Sequence, residues 1–271
     1  MAEKKNMKKP IVDSADLLSA GQRRAKPVVG FFSFTCCQGC EFTILFLDKL
    51  PELLDKLDIQ YFHLLNEKNK EVEFDIAFVE GAVTTKAEAE KLKIIRAKSK
   101  KLVALGACAC HGGIPAMRNF IENEQLGKYV YNQQMLDDSI EAQPIDKFVK
   151  VDYYMYGCPI IKSEFMQFIE DHLKGVETEE FSGPVCNECP RRGKNCFLTE
   201  KKVCLGSLTH GGCDAICTSQ GIPCIMCRGP LDTANFAAEA KLLKGWGLDE
   251  KEIISKLSKF GEQKMENDKK A

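Results

Sequence analysis

Fourteen cysteines in 271 residues constrain this chain more than any other feature. Eight of them, Cys186, Cys189, Cys196, Cys204, Cys213, Cys217, Cys224 and Cys227, crowd into 42 residues. That stretch is rich in glycine and proline and has almost no apolar periodicity, so a hydrophobic core cannot be its organising principle. Sulfur chemistry must organise it instead. A chain of this length can bury a core without disulfide staples. The opening MAEKKNMKKP is charged, and no apolar signal segment follows it. Arg23-Arg24 is followed by Ala25-Lys26-Pro27 and then directly by a strand pattern, unlike a twin-arginine leader. No apolar run reaches the roughly 18 residues of a membrane helix. A cytoplasmic protein without direct membrane insertion is therefore expected, and in a reducing cytosol cysteines at this density read as metal or cluster ligands. Thirty-eight basic against 39 acidic side chains leave a net charge of −1, which argues against nucleic acid as a partner.

Between the two ends the pattern is α/β. Residues 1–26 carry seven lysines and arginines against few acids, and read as a solvated basic arm or one that docks on a partner. Val28–Phe34 suits a buried parallel strand, and Phe42–Leu57 has the spacing of a helix. Ile59–Leu65 and Phe74–Val79 are further strands. Thr85 with Glu88 predicts a capping box opening a helix that runs to about Ser99. Leu102–Leu105 and Val151–Tyr156 are strands, each ending at a glycine, and a helix follows over Ile161–Leu173. Strand, loop and helix repeated this way predict a flavodoxin-like parallel sheet over 27–182. An irregular Cys-rich domain over 183–232 and a helical tail over 233–271 follow, the tail with helices at Asn235–Leu243 and Asp249–Phe260.

The first six cysteines sit at strand ends: Cys36, Cys37 and Cys40 after the first strand, Cys108 and Cys110 after Leu102–Leu105, Cys158 after Val151–Tyr156. Open parallel sheets bind ligands at the carboxyl ends of their strands, so three cysteine loops converge on one edge. Thiolate quartets suit zinc or iron–sulfur clusters, and Cys186-x2-Cys189 with Cys224-x2-Cys227 would make a zinc ribbon. Scattered strand-end cysteines beside Gly39, Gly106, Gly112, Gly113 and Gly157 favour clusters, because glycine lets the backbone approach bulky sulfide. No dinucleotide fingerprint or P-loop is present.

Cys37-Gln38-Gly39-Cys40-Glu41, Gly106-Ala107-Cys108-Ala109-Cys110-His111-Gly112-Gly113 and Gly157-Cys158-Pro159 resemble the small subunit of nickel–iron hydrogenases. The 20-kDa subunit of respiratory NADH:quinone oxidoreductase is a relative sharing the fold. Cys224-Ile225-Met226-Cys227-Arg228-Gly229-Pro230 after Gly212-Cys213 resembles the sulfhydrogenase delta and F420-non-reducing branch. The likeness spans residues 28–232. It implies a proximal [4Fe-4S] cluster on Cys37, Cys40, Cys108 and Cys158, and two more [4Fe-4S] clusters on the remaining eight cysteines, leaving Cys36 and Cys110 as spare thiols. The respiratory relative uses adjacent cysteines as ligands, which makes Cys36 the alternative ligand beside Cys37. The eight divide either in sequence order, Cys186, Cys189, Cys196 and Cys204 against Cys213, Cys217, Cys224 and Cys227, or with Cys213 in the first set in exchange for Cys196 or Cys204. The family pattern has a histidine where Cys186 stands and fewer thiolates at its three-iron centre, so both departures point to [4Fe-4S] clusters throughout.

His111 and His210 read as hydrogen-bond donors near clusters or as surface residues. Glu41 and Glu80 read as salt-bridging groups or as carboxylates facing a partner. The resemblance implies an electron-transfer subunit that partners a large [NiFe] hydrogenase subunit and a further iron–sulfur or flavin subunit. The alternatives are a nickel-free quinone-linked complex and a non-redox zinc scaffold.

Overall fold

A computed structural model describes residues 26–129 and 137–260. The expected basic arm, apart from Lys26, and the end of the tail beyond Phe260 lie outside the described residues. The chain opens with strand β1 (Val28–Ser33), helices α1 (Gly39–Leu45) and α2 (Leu50–Lys56), and strand β2 (Asp58–Phe62). Strands β3 (Phe74–Glu80) and β4 (Val83–Thr85), helix α3 (Lys86–Ala97), strand β5 (Ser99–Leu105) and helix α4 (Gly106–His111) come next. A 3-10 turn at Ile114–Phe120 precedes α5 (Asn123–Tyr129), β6 (Ser139–Gln143), β7 (Tyr153–Met155) and α6 (Lys162–Lys174). The Cys-rich stretch holds the short α7 (Ile216–Ser219), and α8 (Phe236–Gly245) and α9 (Glu250–Leu257) follow it.

Five strands form one sheet in the order β2-β1-β3-β5-β7, and every neighbouring pair is parallel. This is the flavodoxin-like order. The chain steps outward from β1 to β2 and then back across β1 to β3, and that reversal opens a crevice at the carboxyl ends of β1 and β3. The central strands β1 and β3 are buried on both faces because helices cover both. Along β3, Ile76 and Phe78 join the core under α1, α2 and α6, while Ala77 and Val79 join the core under α3. Phe78 stacks on Phe31 at 4.9 Å between ring centroids and meets Phe165 at 5.4 Å and Phe168 at 5.8 Å.

The Thr85–Glu88 capping box is present, with Thr85 accepting from the Glu88 amide and Glu88 reaching back to the Thr85 amide. Asn235 and Asp249 cap α8 and α9. The single helix expected over Phe42–Leu57 is two. Pro51 sits in the first turn of α2, where its missing N–H is harmless; inside a continuous helix its ring would strike the carbonyl of Leu47. The strand expected over Val151–Tyr156 shrinks to β7, and Cys108 and Cys110 lie in a helical turn rather than a loop. An antiparallel pair, β4 with β6, had no sequence signal beyond its short polar-apolar alternation. The tail packs back: Leu243, Ile253 and Leu257 bury against Leu205, Leu208 and Met226.

Truncating Phe78 to alanine removes the ring on which three others rest. The substitution is expected to cost about 3–5 kcal/mol, read as a lowered urea midpoint of the far-UV circular dichroism with little change in its slope.

Candidate functional site

The carboxyl edge of the sheet is where the first cysteines meet. β1 ends at Ser33, and the loop through Cys36 and Cys37 turns into α1 by way of Gln38, whose φ of 60° is left-handed. Glu80, the last residue of β3, accepts hydrogen bonds from the amides of Cys40 (3.2 Å) and Glu41 (2.9 Å), so a carboxylate from the neighbouring strand caps α1. Backbone amides therefore engage Glu80, rather than the cation of a salt bridge. Glu41 is almost fully buried and accepts from the Ser33 hydroxyl at 2.6 Å. Burial pushes its carboxyl up to about 7.

β5 delivers Gly106, with a φ of 80°, into α4. A side chain there would put its Cβ 2.3 Å from the Cys40 sulfur, so glycine is what allows Cys40 to lie against α4. The carbonyl of Gly157, just past β7, accepts from the Ala107 amide at 2.8 Å and draws the Cys158 loop onto the same edge. Burial raises the Cys108 thiol to about 12, with further contributions from Cys158 and Cys37 nearby. Cys37, Cys40, Cys108 and Cys158 thus share one edge. Cys36 lies beside them, raised to about 12 by burial and by Glu80. Cys110 turns into the core and donates to the carbonyls of Ala104 and Met155, both at 3.6 Å.

In the Cys-rich stretch, Cys186, Cys189, Cys196 and Cys204 line one cavity together with Val185, Phe197, Gly206 and Thr218. Burial raises Cys186 to about 11, and Cys204, Cys189 and Cys196 add to it. Cys213 belongs to a turn organised by Glu188, which accepts from the amides of Gly212 (2.8 Å) and Asp214 (3.0 Å). Cys227 lies near both Cys158 and Cys217. Cys224 donates its amide to the Cys204 sulfur at 3.3 Å. Thiols therefore follow one another from the sheet edge past Cys227 and Cys224 to the cavity.

One side chain fastens that chain to the sheet. Arg228 donates to both carboxylate oxygens of Glu164 on α6, at 2.8 and 3.1 Å. It also donates to the carbonyls of Tyr156 (3.0 Å) and Gly211 (2.9 Å). His210 stacks on Tyr156 at 4.1 Å, and both nitrogens of His111 are buried against the Gly229 turn without a hydrogen-bond partner. Burial lowers His111 to about 4. Sequence reading passed over Arg228, Glu164 and Glu188, although Arg228 stands inside the Cys-Arg-Gly-Pro run.

Residues 37–172 match the family of the NADH ubiquinone oxidoreductase 20 Kd subunit. The chain belongs to that family. Sulfhydrogenase 2 subunit delta of Pyrococcus furiosus is 38% identical, over 86% of this chain and 98% of the relative. A subunit of the vhu F420-non-reducing hydrogenase of Methanocaldococcus jannaschii is 33% identical, over 75% of this chain and 82% of the relative. Among solved structures, a chain of an NAD+-reducing [NiFe]-hydrogenase superposes with a TM-score of 0.51 at 29% identity, covering 58% of this chain and 96% of that one. A chain of the reduced Ni-Fe-Se hydrogenase of Desulfomicrobium baculatum superposes at 0.53 and 16% identity, covering 81% and 99%, and so shares the fold. Within the 20 Kd subunit family this chain is a hydrogenase-type small subunit, a component of an oxidoreductase. Its family match includes the sheet-edge cysteines from Cys37 to Cys158 and ends before the Cys-rich stretch. Among the described residues no helix is long and apolar enough to cross a membrane.

Arg228→Met strands the half-buried carboxylate of Glu164. It is expected to lower stability by about 3–5 kcal/mol, while Arg228→Met with Glu164→Leu recovers much of the loss, read as urea midpoints of the three proteins.

Proposed function

We propose that this chain is the electron relay of a [NiFe] hydrogenase complex, holding three [4Fe-4S] clusters on 12 cysteines. The carrying observation is the continuous run of thiol groups from the carboxyl edge of the sheet to the far cavity. Cys37, Cys40, Cys108 and Cys158 hold the first cluster. The cavity lined by Cys186, Cys189, Cys196 and Cys204 supports the sequential division, with Cys213, Cys217, Cys224 and Cys227 holding the cluster between. The chemistry of the donor set fits such clusters. These thiols are crowded, and burial raises Cys40, Cys108 and Cys158 at the sheet edge and Cys186 and Cys204 at the cavity against ionisation, so thiolates become stable at those positions when positive charge, as on iron, arrives among them. The zinc scaffold predicts a colourless protein, whereas iron–sulfur clusters give broad visible absorption.

Clusters, when bound, supply one-electron carriage over a range of potentials set by their surroundings. The chain's residues supply those surroundings. Gly106 lets Cys40 lie flush against α4, Glu80 fixes the amide end of the Cys40 turn, Glu188 fixes the Cys213 turn, and Val185 and Phe197 keep water from the cavity. The partner at the sheet edge is a large [NiFe] subunit. Exposed Phe42 on α1 and Phe46 just after it, with Ile114, Met117 and Phe120 beyond Gly113, provide the apolar surface that permanent heteromeric interfaces bury. A further iron–sulfur or flavin subunit receives the electrons, the complex works in the cytoplasm, and nucleic acid has no part in it. The 20 Kd family match supports a second reading, a nickel-free complex of the quinone-linked kind. Nickel analysis of the purified complex separates the two.

Anaerobically purified protein is expected to carry about 12 irons and about 12 inorganic sulfides per chain; about four irons with zinc making up the rest would restrict the relay to the sheet edge and refute the proposal. Cys158→Ser is expected to remove one cluster's iron and abolish H2-dependent dye reduction. Cys110→Ser keeps most of both, because that thiol is buried in the core and serine can donate to the same carbonyls.

A further inference from the structure

His111 is a buried polar group that the relay reading leaves unused. It closes α4, one helical turn beyond Cys108. Its ring crosses from the sheet into the Cys-rich stretch and seats on the turn that follows Cys227. A Cβ on Gly229 would stand 2.1 Å from its Cδ2 and 2.5 Å from its Nε2, so glycine is what leaves that seat open. Both ring nitrogens are sealed from solvent, and neither has a hydrogen-bond partner among the described residues. The polar groups around the seat are already engaged. The Gly229 amide donates to the Met226 carbonyl at 3.0 Å, and the Gly229 carbonyl accepts from the His210 amide at 3.1 Å. Arg228, the residue before, is taken up by Glu164, Tyr156 and Gly211. His210, on the same turn, is no orphan: its ring stacks on Tyr156 and donates to the Pro230 carbonyl.

An imidazole carries an N–H in either protonation state, and a buried N–H without an acceptor is rare in a folded protein. Beside the seat stands a group of thiols whose bound sulfur can accept. Cys227 is two residues before Gly229 and lies near Cys217. The geometry points to His111 as a hydrogen-bond donor to the middle cluster, its ring N–H directed at a sulfur of the group held by Cys213, Cys217, Cys224 and Cys227. This rests on the relay reading above and adds to it a residue of the sheet that tunes a centre in the Cys-rich stretch. The middle cluster is its target rather than the first because the outer edge of the ring, not its stem on α4, meets the Cys227 turn. A hydrogen bond to cluster sulfur favours the reduced, more negative state and so raises the midpoint potential. His111 takes no part in holding iron; it sets how readily the middle centre accepts an electron.

The test is a redox titration of the intact complex, purified without air and followed by electron paramagnetic resonance. The signal that Cys217→Ser alters marks the middle cluster. In His111→Phe the reduced-to-oxidised ratio of that cluster at a fixed potential is expected to fall about tenfold, a midpoint about 59 mV lower, while the other clusters hold. His111→Gln keeps an N–H and recovers part of the loss. His210→Phe keeps the stack on Tyr156 and leaves the ratio alone. A second measurement uses the unsubstituted complex, with its histidines labelled by the heavy nitrogen isotope. Pulsed resonance on the middle cluster is expected to show a weak coupling to labelled nitrogen, and His111→Gln to lack it. An unmoved middle midpoint in His111→Phe, a shift confined to the first cluster, or no histidine coupling in the unsubstituted complex overturns the assignment. Should His111→Phe lose iron, the coupling in the unsubstituted complex decides. A complex without iron in the Cys-rich stretch would instead sink the relay reading itself, a result that iron analysis reports separately.

Discussion

Arg228 is the contact on which the layout of the cysteine groups depends. Its guanidinium is almost wholly buried, where a charge needs hydrogen-bond partners, and four of its five N–H donors have one. Glu164 answers two of them from α6, Tyr156 a third from the end of β7, and Gly211 a fourth from the Cys-rich stretch. One planar group therefore ties the strand that delivers Cys158 to the turn that delivers Cys227. A flexible lysine could satisfy the charge but not the fork. Without that tie, the two thiol groups would be held together by lesser contacts such as the stacking of His210 on Tyr156.

Much of this was legible in the sequence because it is local. Thr85 and Glu88 stand three apart and form the capping box their spacing implies. Strands that end in glycine and then cysteine put their sulfur at the carboxyl edge, as parallel sheets require. Pro51 announced a helix boundary inside an apolar run, yet the run's periodicity masked the break between Leu45 and Leu50. Glu80 was open to misreading because its partners are amides of another element, which no spacing reveals. The division of eight crowded cysteines was undecided for the same reason: Cys-x2-Cys spacing names pairs, and only the fold names the pair's companions.

Two carboxylates at the sheet edge share one environment and serve different ends. Glu80 is spent on backbone amides and so fixes the geometry of the Cys40 turn. Glu41 accepts a single hydroxyl and keeps one oxygen buried and unanswered. Sequence adjacency to cysteine made them look equivalent; burial and partners separate them.

The cysteine groups also differ in how far along the chain their members lie. Those lining the cavity span Cys186 to Cys204, a short loop that closes at small entropic cost. Those at the sheet edge run from Cys37 to Cys158 and come together only when β1, β5 and β7 are in register. Contacts of such separation form late, after the intervening chain has been ordered. During synthesis the sheet-edge sulfurs therefore stay apart until β7 has emerged, whereas the cavity closes over a single turn-rich segment. The sheet-edge site is thus complete only with the whole strand framework, while the cavity needs one short segment.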